Sequence, residues 1–183
     1  MDIFAHALWT TAGARGANAT VLQNKQRKFN IGWTAFWGVF PDLFAFGIPM
    51  IISIPRIIAN GFNFDRSSLM GLPHEIYQYS HSLVIWLAVF LVVWVIRKKP
   101  AIVLFGWMLH ILIDIPSHSG TFYPTPFLFP ISNYKYLNGI AWSNTWYMII
   151  NYSLLLIVFL SMFIYDYRKI RKQKKAQDYL SSK

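Results

Sequence analysis

FGWMLHILIDIPSH, Phe105 to His118, sets an ionisable pair, His110 and Asp114, inside an otherwise apolar segment. In a helix, residues four apart lie on one face about one turn from each other, so the two side chains stack at metal-ligand spacing. Pro116 predicts an end to the helix at or just after Ile115, because the residue before a proline avoids the α region, and it puts His118 on the departing loop. Three polar groups therefore converge at one helix end.

The surrounding composition says what kind of helix this is. Of 183 residues, 55% are hydrophobic, 18% are aromatic and only 13% are charged, against roughly one quarter charged in an average soluble domain. The length suits one domain and the balance suits a polytopic membrane protein, all-α, with about four to five helices. The formal charge of +10 does not point to nucleic acid, because the basic residues sit in short clusters beside apolar runs, as juxtamembrane anchors do. With no cysteine, disulfides, thiolate zinc sites and cysteine nucleophiles are excluded, so any metal must bind His, Asp or Glu. Met1 to Phe4 carries Asp2 and no basic n-region, and His6 falls in the first apolar stretch, which argues against a cleavable signal peptide.

Along the chain, Ile3 to Val21 reads as a short helix dipping into the bilayer. Ile31 to Ile54 is apolar enough to span but is interrupted by Pro41, Asp42 and Pro49, so this second helix is expected to be broken or kinked. Arg56 to Leu72 reads as an extramembrane loop. Pro73 suits the first turn of a helix running through His74 and His81 to Ile96, and Arg97 to Pro100 makes a tight turn into Ala101 to Ile115. Ser117 to Ser143, rich in Pro, Tyr, Phe and Gly, reads as an extramembrane aromatic cap, its rings and those up to Trp146 forming an interfacial belt. Asn144 to Tyr165 is the cleanest transmembrane candidate. The resulting division is a membrane-embedded helical domain over 1–167 and a basic tail over 168–183.

The clusters Lys25 to Lys28, Arg97 to Lys99 and Arg168 to Lys175 hold 12 of the 17 Lys and Arg residues. One topology puts all three on the cytoplasmic side, with the C-terminal tail, and leaves only Arg56, Arg66 and Lys135 opposite. His81, Asp114 and His118 then lie towards the outer ends of their helices, with His110 and Asp42 deeper. An isolated charge within an apolar span costs about 2.5–3.5 kcal/mol on insertion scales. Asp42, His110 and Asp114 each carry that cost, and His6, His74, His81 and His118 are the available partners. A divalent cation held by imidazole and carboxylate neutralises the carboxylates and uses the His lone pairs; zinc suits such ligands best, with manganese or iron next. Taken singly, each residue also has a bland explanation: Asp42 as a helix cap, His74 and Glu75 as solvated surface, His110 and Asp114 as a hydrogen-bonded pair. One shared site accounts for them together.

The order His6, Phe40-Pro41-Asp42, Ser80-His81-Ser82, His110-x-x-x-Asp114 resembles a family of multi-pass bacterial inner-membrane proteins classed as predicted metal-dependent hydrolases. The resemblance covers about Ile3 to Trp142. It implies that His6, Asp42, His81, His110 and Asp114 ligate one or two ions at the inner membrane. Many members carry His-Arg-Gly before a Thr-His-Ser, whereas here His74-Glu75-Ile76 stands seven residues before His81 and Ser80 replaces Thr. The ligand order is also distantly similar to zinc-dependent phospholipase C and related nucleases, which favours phosphoesters. The expectation is thus a hydrolase acting on a phosphoester or ester of a lipid or other amphiphile, with His118, or else His74, as general acid or base and Ser82 orienting a ligand. A metal-ion or proton transporter and a non-catalytic protein with a structural metal site are the competing expectations.

Overall fold

The computed structural model describes residues 1–60, 67–120 and 123–181. The helical bundle is as expected, cut into more segments: α1 (Ile3–Ala19), α2 (Ile31–Asp42), a π-helical segment (Leu43–Gly47), α3 (Ile48–Asn60), α4 (Ser67–Ser80), α5 (Leu83–Arg97), a 3₁₀ turn (Ile102–Leu104), α6 (Phe105–Ser117) and α7 (Thr145–Ser181). Among the described residues two helices are long and apolar enough to cross a membrane, Ile31–Pro55 and Thr145–Ser181, and α4 with α5 adds a third if that bent pair is one span. At 17 residues α1 is shorter than these.

The interruption expected in the second helix is the π segment. Pro41 and Pro49, which lack an N–H, stand on either side of it, so the helix changes register there without ending. The stretch 56–72 does not form the expected loop over its described part. Helix α3 continues to Asn60 and α4 already starts at Ser67, while 61–66 lie outside the described residues. Pro73 accordingly sits inside α4 instead of opening it. A proline inside a helix forfeits one backbone bond and adds a kink, both tolerable among packed apolar helices.

Nor is the helix from Pro73 to Ile96 continuous. It bends by 59° between Ser80 and Leu83. Ser82 takes an extended conformation there, and its Oγ caps α5 by accepting from the amides of Val84 and Ile85 at 3.1 and 3.2 Å. The same hydroxyl donates to the Phe129 carbonyl, and the Leu83 amide donates to Phe127 O at 3.0 Å, so the aromatic cap ties down the break. Lys98, with φ 52°, closes α5 and returns the chain towards α6 as the Arg97 to Pro100 turn predicts.

Pro116 does not end α6 at Ile115. The helix runs to Ser117, with His118 as its C-cap. The carbonyls of its last turn find donors from the cap, Ile140 N to Pro116 O at 3.0 Å and Trp142 N to Ser117 O at 2.9 Å, which offsets what the proline removes. Gly139 makes that approach possible, since a Cβ on it would lie 2.1 Å from His118 O. Among its described residues the cap is otherwise non-helical and carries one antiparallel bridge, Ser119 to Asn138; Phe122 lies outside the described residues. The basic residues from Arg168 to Lys175 continue α7 as helix.

Three helices cross close together around α6, and small residues make this possible. A Cβ on Gly106 would lie 2.1 Å from Thr34 O of α2, and one on Gly38 would lie 2.3 Å from Thr10 Oγ1 of α1. Backbone-to-backbone approach through small residues is a common way for helices to associate where burial of apolar surface gives no net drive. Beyond them, Trp86, Phe90, Leu104, Trp107 and Ile111 form the apolar core between α5 and α6. The indole of Trp107 donates to Ser80 O at 2.6 Å and fixes the end of α4 against α6.

Candidate metal centre

Four segments deliver one side chain or more to a common point. Asp42 ends α2, His81 stands at the break after α4, His110 and Asp114 come from one face of α6, and His6 comes from α1. Ligand atoms of Asp42, His81, His110 and Asp114 all lie within 4.8 Å of one another. The side chains of His81, His110 and Asp114 are fully buried, and Asp42 keeps 16% exposure.

Hydrogen bonds on the far side of each ring decide which nitrogen faces the cluster. His110 Nδ1 is 2.7 Å from Gly38 O. A carbonyl only accepts, so Nδ1 carries the proton and Nε2 presents its lone pair. His81 Nδ1 is likewise 3.2 Å from Tyr77 O and 2.9 Å from Ser80 Oγ, which leaves His81 Nε2 bare as well. These two Nε2 atoms face each other at 3.1 Å. Around them, His110 Nε2 is 3.1 Å from Asp114 Oδ2 and 3.8 Å from Asp42 Oδ1, and His81 Nε2 is 3.4 Å from both oxygens.

Two imidazole lone pairs and two carboxylate oxygens thus converge, and among the described residues Asp114 Oδ2 has no hydrogen-bond partner. Facing acceptors repel one another unless a cation lies among them. The spacing suits one: with bonds of ~2.05 Å to a tetrahedral ion, ligand atoms stand about 3.3 Å apart, and five of the separations here run from 3.1 to 3.8 Å. The donor set fits a divalent metal.

The remaining predicted residues fall into three groups. His6 joins the site from one side, its ring stacked on His110 with centroids 3.7 Å apart and its Nε2 2.9 Å from Asp114 Oδ1. Asp114 therefore turns Oδ2 to the four-residue cluster and Oδ1 to His6. The α-amino group of Met1 lies 2.5 Å from that same Oδ1. His118 stands at the edge, its Nδ1 3.9 Å from Asp114 Oδ2 and 3.1 Å from Tyr77 Oη. His74 is exposed on α4, with its ring 6.0 Å from that of Tyr123, outside the cluster.

Ser82 is a correction. Its hydroxyl is committed to capping α5 and to Phe129 O, and it is Ser80 that touches His81. Tyr77 is the group that the spacing of His and Asp does not reveal: its ring stacks on His81 at 3.7 Å, its carbonyl accepts from His81, and its hydroxyl meets His118. One signal could have found it, the i, i+4 spacing to His81 in the helix expected from Pro73 onwards.

The chain matches no protein-family model, no curated protein and no solved structure.

Proposed function

We propose that the protein is a membrane-embedded metal-dependent hydrolase, with zinc held by Asp42, His81, His110 and Asp114 and a phosphoester or ester of an amphiphile as its substrate. The observation that carries this reading is the pair of Nε2 lone pairs set 3.1 Å apart between two carboxylates. When bound, with one of the four protein positions given over to water, the ion would supply an acidified water and a positive charge for the scissile group. The chain's own residues do the rest. Gly38 O and Tyr77 O hold the two imidazoles in the ligating tautomer. His118, beside Asp114 and backed by Tyr77 Oη, moves the proton: it takes one proton from the water whose oxygen adds at the electrophile, the bond to the leaving oxygen breaks, and His118 returns the proton to that oxygen. Asp114, with one oxygen on the cluster and the other 2.9 Å from His6 Nε2, would tie that histidine to the centre.

A transport pathway would need ligands spread through the membrane depth. Here they are drawn to one point, and only Asp42 among the four retains exposure. The hydrolase is tested on purified full-length protein by elemental analysis and by turnover of bis(p-nitrophenyl) phosphate. The wild type is expected to hold close to one zinc per chain and to turn over the diester, and His110→Ala to lose both. A metal-free wild type, or His110→Ala with unaltered turnover, sinks the reading. Zinc bound with no turnover of any ester, and a lowered Tm in the variant, would assign the metal a structural role instead.

A further inference from the structure

Three of the four cluster residues are sealed off, so whatever reaches the site must come past Asp42. Asp42 lies in the wall of a cavity of about 440 Å³ that also meets His118 and Tyr77. This volume falls within the ~300–1,000 Å³ usual for sites that take small molecules. Asp2 and Tyr123 add to its polar lining. The outer walls are apolar and come from two directions: Leu43, Phe46 and Met50 of the second helix, and Trp142 of the cap.

Where the outer walls stand decides what the cavity faces. Leu43, Phe46 and Met50 are 44, 39 and 69% exposed, and all three belong to Ile31–Pro55, a helix long and apolar enough to cross a membrane. Their surroundings in a bilayer are hydrocarbon. The cavity is therefore walled on that side by residues that face the bilayer, and of the four cluster residues Asp42 reaches its lining. Gly47 keeps it open: it lines the cavity, and a Cβ built on it meets no atom within 4 Å. A larger groove, about 1140 Å³ between α1, α6 and α7, has none of the four cluster residues in its walls.

We propose that this cavity is a lateral entrance that takes the hydrocarbon chain of a phosphate-headed lipid directly from the bilayer, its headgroup resting against Asp42 and His118. The proposal rests on the metal-centre reading above and adds to it a route and a substrate class. A divalent ion at the base would offer a phosphate oxygen a ligand position, and the apolar walls favour a ligand that carries a chain.

The test uses the full chain, zinc-loaded, in phosphatidylcholine vesicles containing a dodecyl phosphate that carries a photoreactive diazirine midway along its chain. Irradiation and peptide mapping should place the label on Leu43 to Met50 and on Trp142. Gly47→Trp, which fills open space, should cut that labelling at least five-fold while zinc content and Tm stay at wild-type values. Met50→Trp at the rim serves as a second plug should the first variant not fold. Excess glycerol phosphate, the headgroup without a chain, should leave the labelling in place. Label confined to the larger groove or to the outer faces of α5 and α7 overturns the proposal, as does labelling indifferent to both plugs. Displacement by glycerol phosphate also overturns it, since the head alone would then suffice. Labelling of the cavity in a protein that hydrolyses nothing would sink the reaction and keep the entrance. Turnover of the soluble diester with the label elsewhere would do the reverse.

Discussion

The contact between α2 and α6 and the contact between α1 and α7 are built in opposite ways. At the first, backbone lies on backbone, with Gly106 so close to Thr34 O that a Cβ would fall 2.1 Å from it. At the second, a Cβ on Gly16 would meet only the mobile end of Met162, 3.8 Å away. Along its 37 residues α7 has Asn151 and Leu155 as buried positions, whereas the 13-residue α6 buries six. The difference follows from what each contact must hold. A cluster that could hold a metal ion tolerates errors of a few tenths of an ångström, and the helices that bring its His and Asp side chains together are locked by their main chains. A helix that only crosses the bilayer beside them needs no such register.

The largest expected effect separates the two contacts outright. Gly106→Ala gains about 1 kcal/mol of helix propensity, yet it should destabilise by about 3 kcal/mol or more, because Thr34 O belongs to the backbone and cannot swing aside. Gly16→Ala should be neutral or stabilising by up to about 1 kcal/mol. Thermal unfolding in detergent compares them, and similar Tm values for the two variants would erase the distinction drawn here.

A smaller effect sharpens the tight region from within. Ser80→Ala removes the hydroxyl on His81 Nδ1 and should weaken zinc binding about 10–100-fold, measured by competition with a chelator. Ser82→Ala, two residues on, should leave zinc affinity unchanged and cost about 1 kcal/mol through its lost cap. The opposite pattern would return Ser82 to the site. On the loose side, the Trp9 indole donates to Asn151 Oδ1 at 2.8 Å. Asn151→Leu should cost about 1 kcal/mol or less, the scale of hydrogen bonds between membrane helices, with zinc affinity untouched. A change in zinc content here would show that α7 reaches the metal centre after all.

Much of the centre was legible along the chain because its signals are local. A spacing of four put His110 and Asp114 on one helix face, and the cost of a charge in an apolar run singled out Asp42 before any fold was known. The errors came where a neighbouring segment overruled a local rule. Pro116 predicted an earlier helix end, but amides of Ile140 and Trp142 satisfy the last turn from the cap. Ser82 was expected at the site on sequence adjacency to His81, but the chain bends there and the hydroxyl is spent on a new helix start.

Hydropathy and residue order by themselves determined that this is a helical membrane protein with buried imidazoles and carboxylates, since transfer cost and helical period depend only on the residue and its near neighbours. Tertiary structure alone decided which way their lone pairs point. His110 is fixed by a carbonyl 72 positions away, and the mouth over Asp42 is walled by the second helix and a cap a hundred residues later. Such directions depend on contacts between distant segments, and those exist only once the helices have packed.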